Sequence, residues 1–298
     1  MTATVDSAPP ASAARPAPRA LLDTAVLAAR AVGEVLHRYF RRGDDLGVTH
    51  KGHHDIVTQA DYASEAAVAT VIHTDWPAHV LLGEDGGLQA ADGKVLDEAA
   101  AVGRYRWLVD PLDGTRNFAR GLPYFAVSVA CFDPDDVPEA SVILDPVGGH
   151  LFTAARGHGA FWNGRPMTMT DASGLDGSFL ATGYPFRRPA SLDVYLRIFR
   201  DILQRAHGVR RCGAAALDLA YTAAGIYDGF FELRLAPWDV AAGVLLVREA
   251  GGFATNLDGG LDVLAGNVLA GNAAVHRDLL ALAAEHADEA TVRALDAS

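Results

Sequence analysis

Between residues 107 and 118 the chain reads WLVDPLDGTRNF, an apolar run that meets two acids three residues apart among a proline, a glycine and a threonine. No other stretch constrains the fold as tightly. Trp107 to Val109 read as a buried strand, so Asp110 stands at a strand mouth. Two like charges at that spacing repel, and desolvation adds to the cost of ionising them. Some partner has to offset that. Pro111 fixes φ and has no N–H, which predicts that the sheet stops at Asp110. In the turn that follows, Asp110 and Asp113 can point to one side, with the Leu112 carbonyl freed from the sheet. Gly114 permits positive φ or a close approach to a ligand. Thr115 can open a helix whose N–H groups face an anion. Two readings fit this local pattern: an Asx-type capped turn, or an all-oxygen site for a hard cation such as Mg²⁺.

Further acids stand at comparable places. GEDGG sets Glu84 and Asp85 after an apolar strand, HHDIVTQAD offers Asp55 and Asp61 around a β-branched segment, and APWDVAAG sets Asp239 in the first turn of an apolar helix. Taken singly, each has an ordinary explanation, Asp239 as a partner of the helix dipole.

The charge balance fits a protein that holds cations. With 37 acids against 25 bases the formal charge is −12, which disfavours contact with a phosphate backbone, since that needs clustered Lys and Arg. A solvated acidic surface accounts for the same excess. Half of the 298 residues are hydrophobic, enough for one large domain or two abutting halves. The two cysteines, Cys131 and Cys212, form no C-x-x-C pair, so a reducing, cytoplasmic setting is expected rather than a disulfide scaffold. The eleven histidines contain no H-E-x-x-H or Cys/His cluster, and no G-x-S-x-G occurs. Zinc and serine hydrolases therefore lack support; His53 and His54 read as solvated loop residues.

Residues 1–19 are rich in Ala and Pro and read as a disordered tail. They lack the apolar core of a secretory signal, and no later stretch has the length of a membrane span. Ordered structure is expected from residue 20. An amphipathic helix reaches Tyr39, a polar loop follows to Asp61, and a second helix runs from Asp61 to about His73. Strands are predicted at AHVLLG, RYRWLV, YFAVSVACF, ASVILD and HLFTAARG, with a hairpin turn at Asp145-Pro146. Beyond AFWNGRPM come a strand (SFLATGYP), a helix (ASLDVYLRIFRDILQRA), a helix feeding a strand (AAALDLAYTAAGIYDGFFEL), a Pro-initiated helix (PWDVAAGVLLVREAGG), a strand (NVLAGN) and a closing helix. Runs of strands with paired helices fit helix layers around sheets.

The segments DIVTQAD, GED, WLVDPLDGTRNFARGLPYFAVSVA, ATGYPF, GAAALDLAYTAAGIYDGFFE and PWDVAAGVLLVREAGG occur in this order across nearly the whole chain. In this the sequence resembles the inositol monophosphatase family, within the lithium-sensitive phosphatase superfamily, and its bacterial inositol-1-monophosphatase branch most of all. The resemblance implies an α+β fold, a layered αβαβα sandwich over residues 20–298. Its N-terminal half, about 20–170, would bind metal, and its C-terminal half, about 171–298, would complete the substrate site. It also implies Mg²⁺-dependent hydrolysis of small polyol or sugar phosphates, with myo-inositol monophosphate the first choice. Histidinol phosphate, fructose 1,6-bisphosphate, a 3′-phosphonucleotide, or a regulatory binding protein on the same scaffold are the rivals. By the same resemblance Glu84, Asp110, the Leu112 carbonyl, Asp113 and Asp239 match metal ligands. Thr115 and Glu84, with Asp55 behind Thr115, match the group that activates water, and Lys51 matches a basic residue at the edge. Asp113, Gly114, Thr115, Gly213, Ala214, Ala215, Glu232 and Asp239 match the substrate side. A homodimer is the expected assembly, with neither membrane nor direct nucleic-acid contact. Three positions depart from the pattern: Asp85 for the commoner Glu, Arg116 for a second threonine, and Ala214 for a hydroxyl residue.

Overall fold

A computed structural model describes residues 15–41, 47, 49–52, 55–84, 86–185 and 191–287, with the backbone alone over 49–52 and 55–57. The expectations for residues 1–14, His53, His54 and Asp85 lie outside the described residues. Helix α1 (Pro18–Tyr39) begins with proline in its first turn, two residues inside the stretch read as tail. Strands β1 (Thr49–Gly52) and β2 (Asp55–Val57) pair antiparallel within the segment expected to be a polar loop. That segment lacks the apolar alternation by which a two-sided strand is recognised. Helix α2 (Gln59–Asp75) starts at a capping box: the Ala60 amide donates to Thr58 Oγ1 and the Thr58 amide to Asp61 Oδ2. Asp61 thereby caps this helix, and it is not among the residues that line the cleft described below.

Next come β3 (Val80–Gly83), β4 (Gly87–Gln89), α3 (Glu98–Ala101) and β5 (Arg106–Asp113), then the short α4 (Thr115–Ala119). Strands β6 (Ala126–Phe132), β7 (Pro138–Asp145), β8 (His150–Ala155), β9 (Ala160–Trp162) and β10 (Arg165–Pro166) follow as a meander. At the β7–β8 turn Asp145 Oδ1 accepts from the Val147 and Gly148 amides, the hairpin expected there. The second part holds β11 (Phe179–Thr182), α5 (Leu192–Arg205), β12 (Gly208–Arg210), α6 (Ala215–Ala223), β13 (Gly229–Glu232), α7 (Pro237–Glu249), β14 (Phe253–Thr255), β15 (Val268–Gly271) and α8 (Ala273–His286).

One sheet runs β10-β9-β8-β7-β6-β5-β3-β4 and the other β12-β11-β13-β15-β14. Alternation along the strands sorts the chain into layers. Trp107, Val109, Val127 and Val129 pack with α1 and α2. Leu108, Ala126 and Ala130 face the opposite way, onto α6 and α7. Ala181, Phe230 and Ala270 close on α6 and α7 from the second sheet, while Leu180, Phe231 and Leu269 face α5 and α8. The outcome is the αβαβα sandwich, with α6 and α7 buried between two sheets. Their sequences, AALDLAYTA and PWDVAAGVLLVRE, are accordingly apolar nearly all round.

Pro111 does not end its strand. Strand β5 runs on to Asp113, with a bulge between Asp110 and Asp113 where the pairing with Ser128 and Ala126 slips. A bulge leaves residues outside the ladder, so a residue without an N–H is tolerated there.

Candidate active site

Strand ends and helix starts meet in one cleft. Strand β3 pairs parallel with β5, with Gly83 opposite Val109, so the next residues along, Glu84 and Asp110, emerge side by side. The bulge turns Asp113 into the same space. From the second sheet, β11 and β13 run parallel with Thr182 opposite Phe231, which brings Gly183 next to Glu232. A side chain at Gly183 would overlap the Glu232 carboxylate. Helices α4, α6 and α7 all begin at this cleft, presenting Thr115, Ala215 and Asp239 in their first turns. Helix N-termini carry partial positive charge and unsatisfied N–H groups, which favour anions.

The lining therefore includes Glu84, Asp110, Leu112, Asp113, Gly114, Thr115, Gly213, Ala214, Ala215, Glu232 and Asp239. Every one of these was expected at the site from sequence. Lys51 and Asp55 stand on β1 and β2, where side chains lie outside the description. Arg116, the departure from a second threonine, lines the cleft. Thr182, Tyr184, Arg211, Asp218 and Arg234 also line it and were not anticipated. For Asp218 a signal existed: it is the one acid within the apolar stretch AAALDLAYTAA.

The local bonds show how each group is held. Asp110 Oδ1 accepts from the Leu112 amide at 2.9 Å, so the capped turn is present and the acid still lines the cleft. The Thr115 hydroxyl donates to the Leu112 carbonyl at 3.1 Å. Asp113 Oδ2 accepts from the Ala216 amide at 2.7 Å, and Asp239 Oδ2 from the Ala236 amide at 2.9 Å. Glu65 on α2 accepts from the Gly86 amide at 2.9 Å, bracing the turn that carries Glu84.

These acids are costly to ionise as they stand. Burial, followed by Glu84, Asp113 and Asp239, pushes the Asp110 carboxyl well above the usual carboxylate range. Burial and Asp239 do the same to Asp113, against the pull of the Ala216 amide. Glu232 is raised by burial and by Asp218, with Arg211 opposing. Asp218 is pushed up to about 7 by burial, although the Tyr124 hydroxyl and Arg211 work the other way. A cation among them reverses the two leading causes, since it supplies opposite charge where water is excluded. The donors are all oxygens, the set that suits Mg²⁺, and the residues present fit that ion.

Among the described residues, the three His, Asp or Glu side chains whose ligand atoms all lie within 4.8 Å of one another are Asp201, Glu285 and His286, away from this cleft. There His286 Nε2 and Asp201 Oδ2 are 2.6 Å apart, a hydrogen bond between α8 and α5. Among the described residues no three of the cleft acids bring their ligand atoms that close.

The chain matches the model of the inositol monophosphatase family over residues 18–291. It is 42% identical over 269 residues to Nus factor SuhB of Pseudomonas aeruginosa, covering 89% of this chain and 96% of that protein. Its structure is similar to that of the extragenic suppressor protein suhB from Bartonella henselae, with a TM-score of 0.81, 38% identity and 89% and 98% of the two chains covered. It is also similar to an inositol monophosphatase from Anabaena, with a TM-score of 0.77, 36% identity and coverage of 91% and 98%.

Proposed function

The chain belongs to the inositol monophosphatase family, and on that premise we propose that it hydrolyses small polyol or sugar phosphate monoesters with Mg²⁺, myo-inositol monophosphate foremost. The observation that carries this reading is the meeting of Glu84, Asp110, Asp113 and Asp239 with the first turns of α4, α6 and α7 in one cleft. Acids alone repel a phosphate ester, and helix N-termini alone repel a cation. The combination suits a phosphate and cations held together.

Glu84, Asp110, Asp113, Asp239 and the Leu112 carbonyl would hold Mg²⁺. When bound, the ion supplies positive charge that neutralises these acids and the ester dianion and makes a nearby water more acidic. Thr115 has its one hydroxyl proton engaged by the Leu112 carbonyl, which leaves its oxygen lone pairs to accept from the attacking water. Glu84 takes that water's proton in this reading, as a general base. The N-terminal turns of α4 and α6 offer N–H donors to the phosphoryl oxygens. Glu232 and the Gly213–Ala215 loop take the polyol hydroxyls, so the half from about residue 171 completes a site begun by the half before it.

Histidinol phosphate, fructose 1,6-bisphosphate and 3′-phosphonucleotides would use the same centre. A second reading has its own support: the relative at 42% identity is named a Nus factor, which favours a regulatory binding role on this scaffold. The complete set of cleft acids favours turnover. The test is phosphate release from a panel of these esters with Mg²⁺, with and without EDTA. Release from inositol 1-phosphate that chelation abolishes is expected; turnover that survives exhaustive chelation overturns the metal reading, and no turnover on any ester favours the binding role.

A further inference from the structure

Three hydrogen bonds tie the loop of the metal-binding acids to the start of α6, across 94 to 103 positions of sequence. One is the Ala216 amide on Asp113. The second comes from Asn117 on α4, whose Nδ2 donates to the Tyr124 carbonyl at 2.7 Å and to the Cys212 carbonyl at 2.9 Å. The third is the Tyr124 hydroxyl, which donates to Asp218 Oδ1 at 2.6 Å. Asp218 is 1% exposed, on the first turn of α6. Between these ties the two walls touch: a Cβ on Gly114 would come within 3.1 to 3.3 Å of the Tyr124 carbonyl, Phe125 and Ala214.

We propose that Asn117 and the Tyr124–Asp218 pair are positioning residues of the phosphomonoesterase site, holding the Gly213–Ala215 wall at a fixed distance from the cation-binding wall and so setting substrate affinity. The inference rests on the phosphatase reading above. Neither Asn117 nor Tyr124 belongs to the carboxylate set. Both act across the cleft and not within one wall. Glu84 and Asp239 are carried by β3 and α7, which these bonds do not hold, and the one tie on a cation ligand, the Ala216 amide on Asp113, is not touched by substitutions at Asn117, Tyr124 or Asp218. Loosening the Asn117 or the Tyr124–Asp218 tie therefore displaces the wall that meets the polyol and leaves the cation ligands where they are.

The experiment measures steady-state kinetics on inositol 1-phosphate at saturating Mg²⁺, together with the shift in Tm on adding Mg²⁺, for wild type, Tyr124→Phe, Asp218→Ala and the double variant. Tyr124→Phe removes one oxygen and keeps the ring. It is expected to raise KM by about tenfold, the scale of a lost buried hydrogen bond, with kcat changed far less and the Mg²⁺-induced shift retained. The double variant is expected to be no worse than Asp218→Ala, since the pair acts as a unit. If Asp218→Ala fails to fold, Asn117→Ala loosens the same wall from the other side and is expected to raise KM likewise. An unchanged KM in Tyr124→Phe, or a Mg²⁺ response lost together with affinity, overturns the positioning role. Wild type inactive on every ester overturns the phosphatase reading itself, and the positioning role falls with it; an active wild type with an unaffected Tyr124→Phe overturns the positioning role alone.

Discussion

The Ala216 amide donates to Asp113 Oδ2 at 2.7 Å, so the start of α6 is bonded to an acid on the bulge of β5. Asp113 thus has a structural partner as well as a place among the cleft acids, and two substitutions separate these roles. Asp113→Asn keeps an acceptor for Ala216 and removes one of the mutually repelling charges. Chelated protein carrying it is expected to melt no lower than wild type, to gain less from Mg²⁺ and to lose activity. Asp113→Ala leaves a buried amide without its acceptor and should melt lower, by about 1–3 kcal/mol of stability. Thermal melts with EDTA and with Mg²⁺ check both. A normal Mg²⁺ response in Asp113→Asn would reduce Asp113 to a turn residue.

Chelated protein should also depend on pH with a definite sign. Asp110 and Asp113 are held above the ordinary carboxylate range by burial first and neighbouring acids second, and Asp218 is pushed to about 7. The folded state then binds more protons than the unfolded state between the ordinary carboxylate values and neutrality. Their contribution to stability is present at low pH and is lost as pH rises through that window. Mg²⁺ that binds only the native state restores stability by about 2.7 kcal/mol at 100-fold over Kd. Melts across pH in EDTA and in Mg²⁺ test this; a Mg²⁺ benefit that stays constant from pH 4 to 7 contradicts it, because protonated acids bind the ion poorly.

Thr115 opens α4, and its hydroxyl donates to the Leu112 carbonyl. Thr115→Ala is expected to lower kcat by about 10²-fold or more, because the water that Glu84 deprotonates loses the oxygen that orients it for general-base attack, with a smaller effect on KM. Thr115→Ser keeps the hydroxyl and should retain most of the rate. Equal kcat values for the alanine variant and wild type would leave Thr115 as a helix-start residue only.

Much of this site was legible before any fold was known, because it rests on short-range rules. Acids that follow apolar strands, a glycine where φ is positive (Gly114 at 94°) and a proline that starts a helix are local statements; they marked Glu84, Asp110, Asp113 and Asp239 as candidates, each with an ordinary alternative, and the family resemblance joined them into one site. The bulge was missed because Pro111 forbids a ladder bond without forbidding the strand. The β1–β2 hairpin was missed because β1 (THKG) has no apolar alternation and β2 is only three residues long. Arg211 and Thr182 depend on how the second sheet docks against the first, and no window of sequence carries that information, whereas Asp218 left a trace as the one acid in an apolar helix. Asn117 is the clearest case: its two acceptors, the carbonyls of Tyr124 and Cys212, advertise nothing in their side-chain types.

His79 provides a prediction independent of the cleft. Its ring stacks on Trp76 at 5.0 Å and on Tyr105 at 4.8 Å, and its Nδ1 accepts from Trp107 Nε1 at 3.1 Å. The accepting nitrogen must be unprotonated, so the folded state selects the neutral ring. Burial, with His73 adding to it, lowers the His79 pKa to about 4. The unfolded state therefore binds the extra proton first, and the contribution of His79 to stability is full above its ordinary value of 6.5 and lost as pH falls towards 4. This slope opposes that of the cleft acids over the same window, so wild type alone does not reveal it. The informative quantity is the gap in stability between wild type and His79→Asn, measured by denaturant unfolding at several pH values. The gap should be widest above pH 6.5 and narrow as pH approaches 4, where protonation sets a donor against the Trp107 donor. A gap that stays constant across that range would mean that His79 contributes packing alone and that its protonation is not coupled to folding.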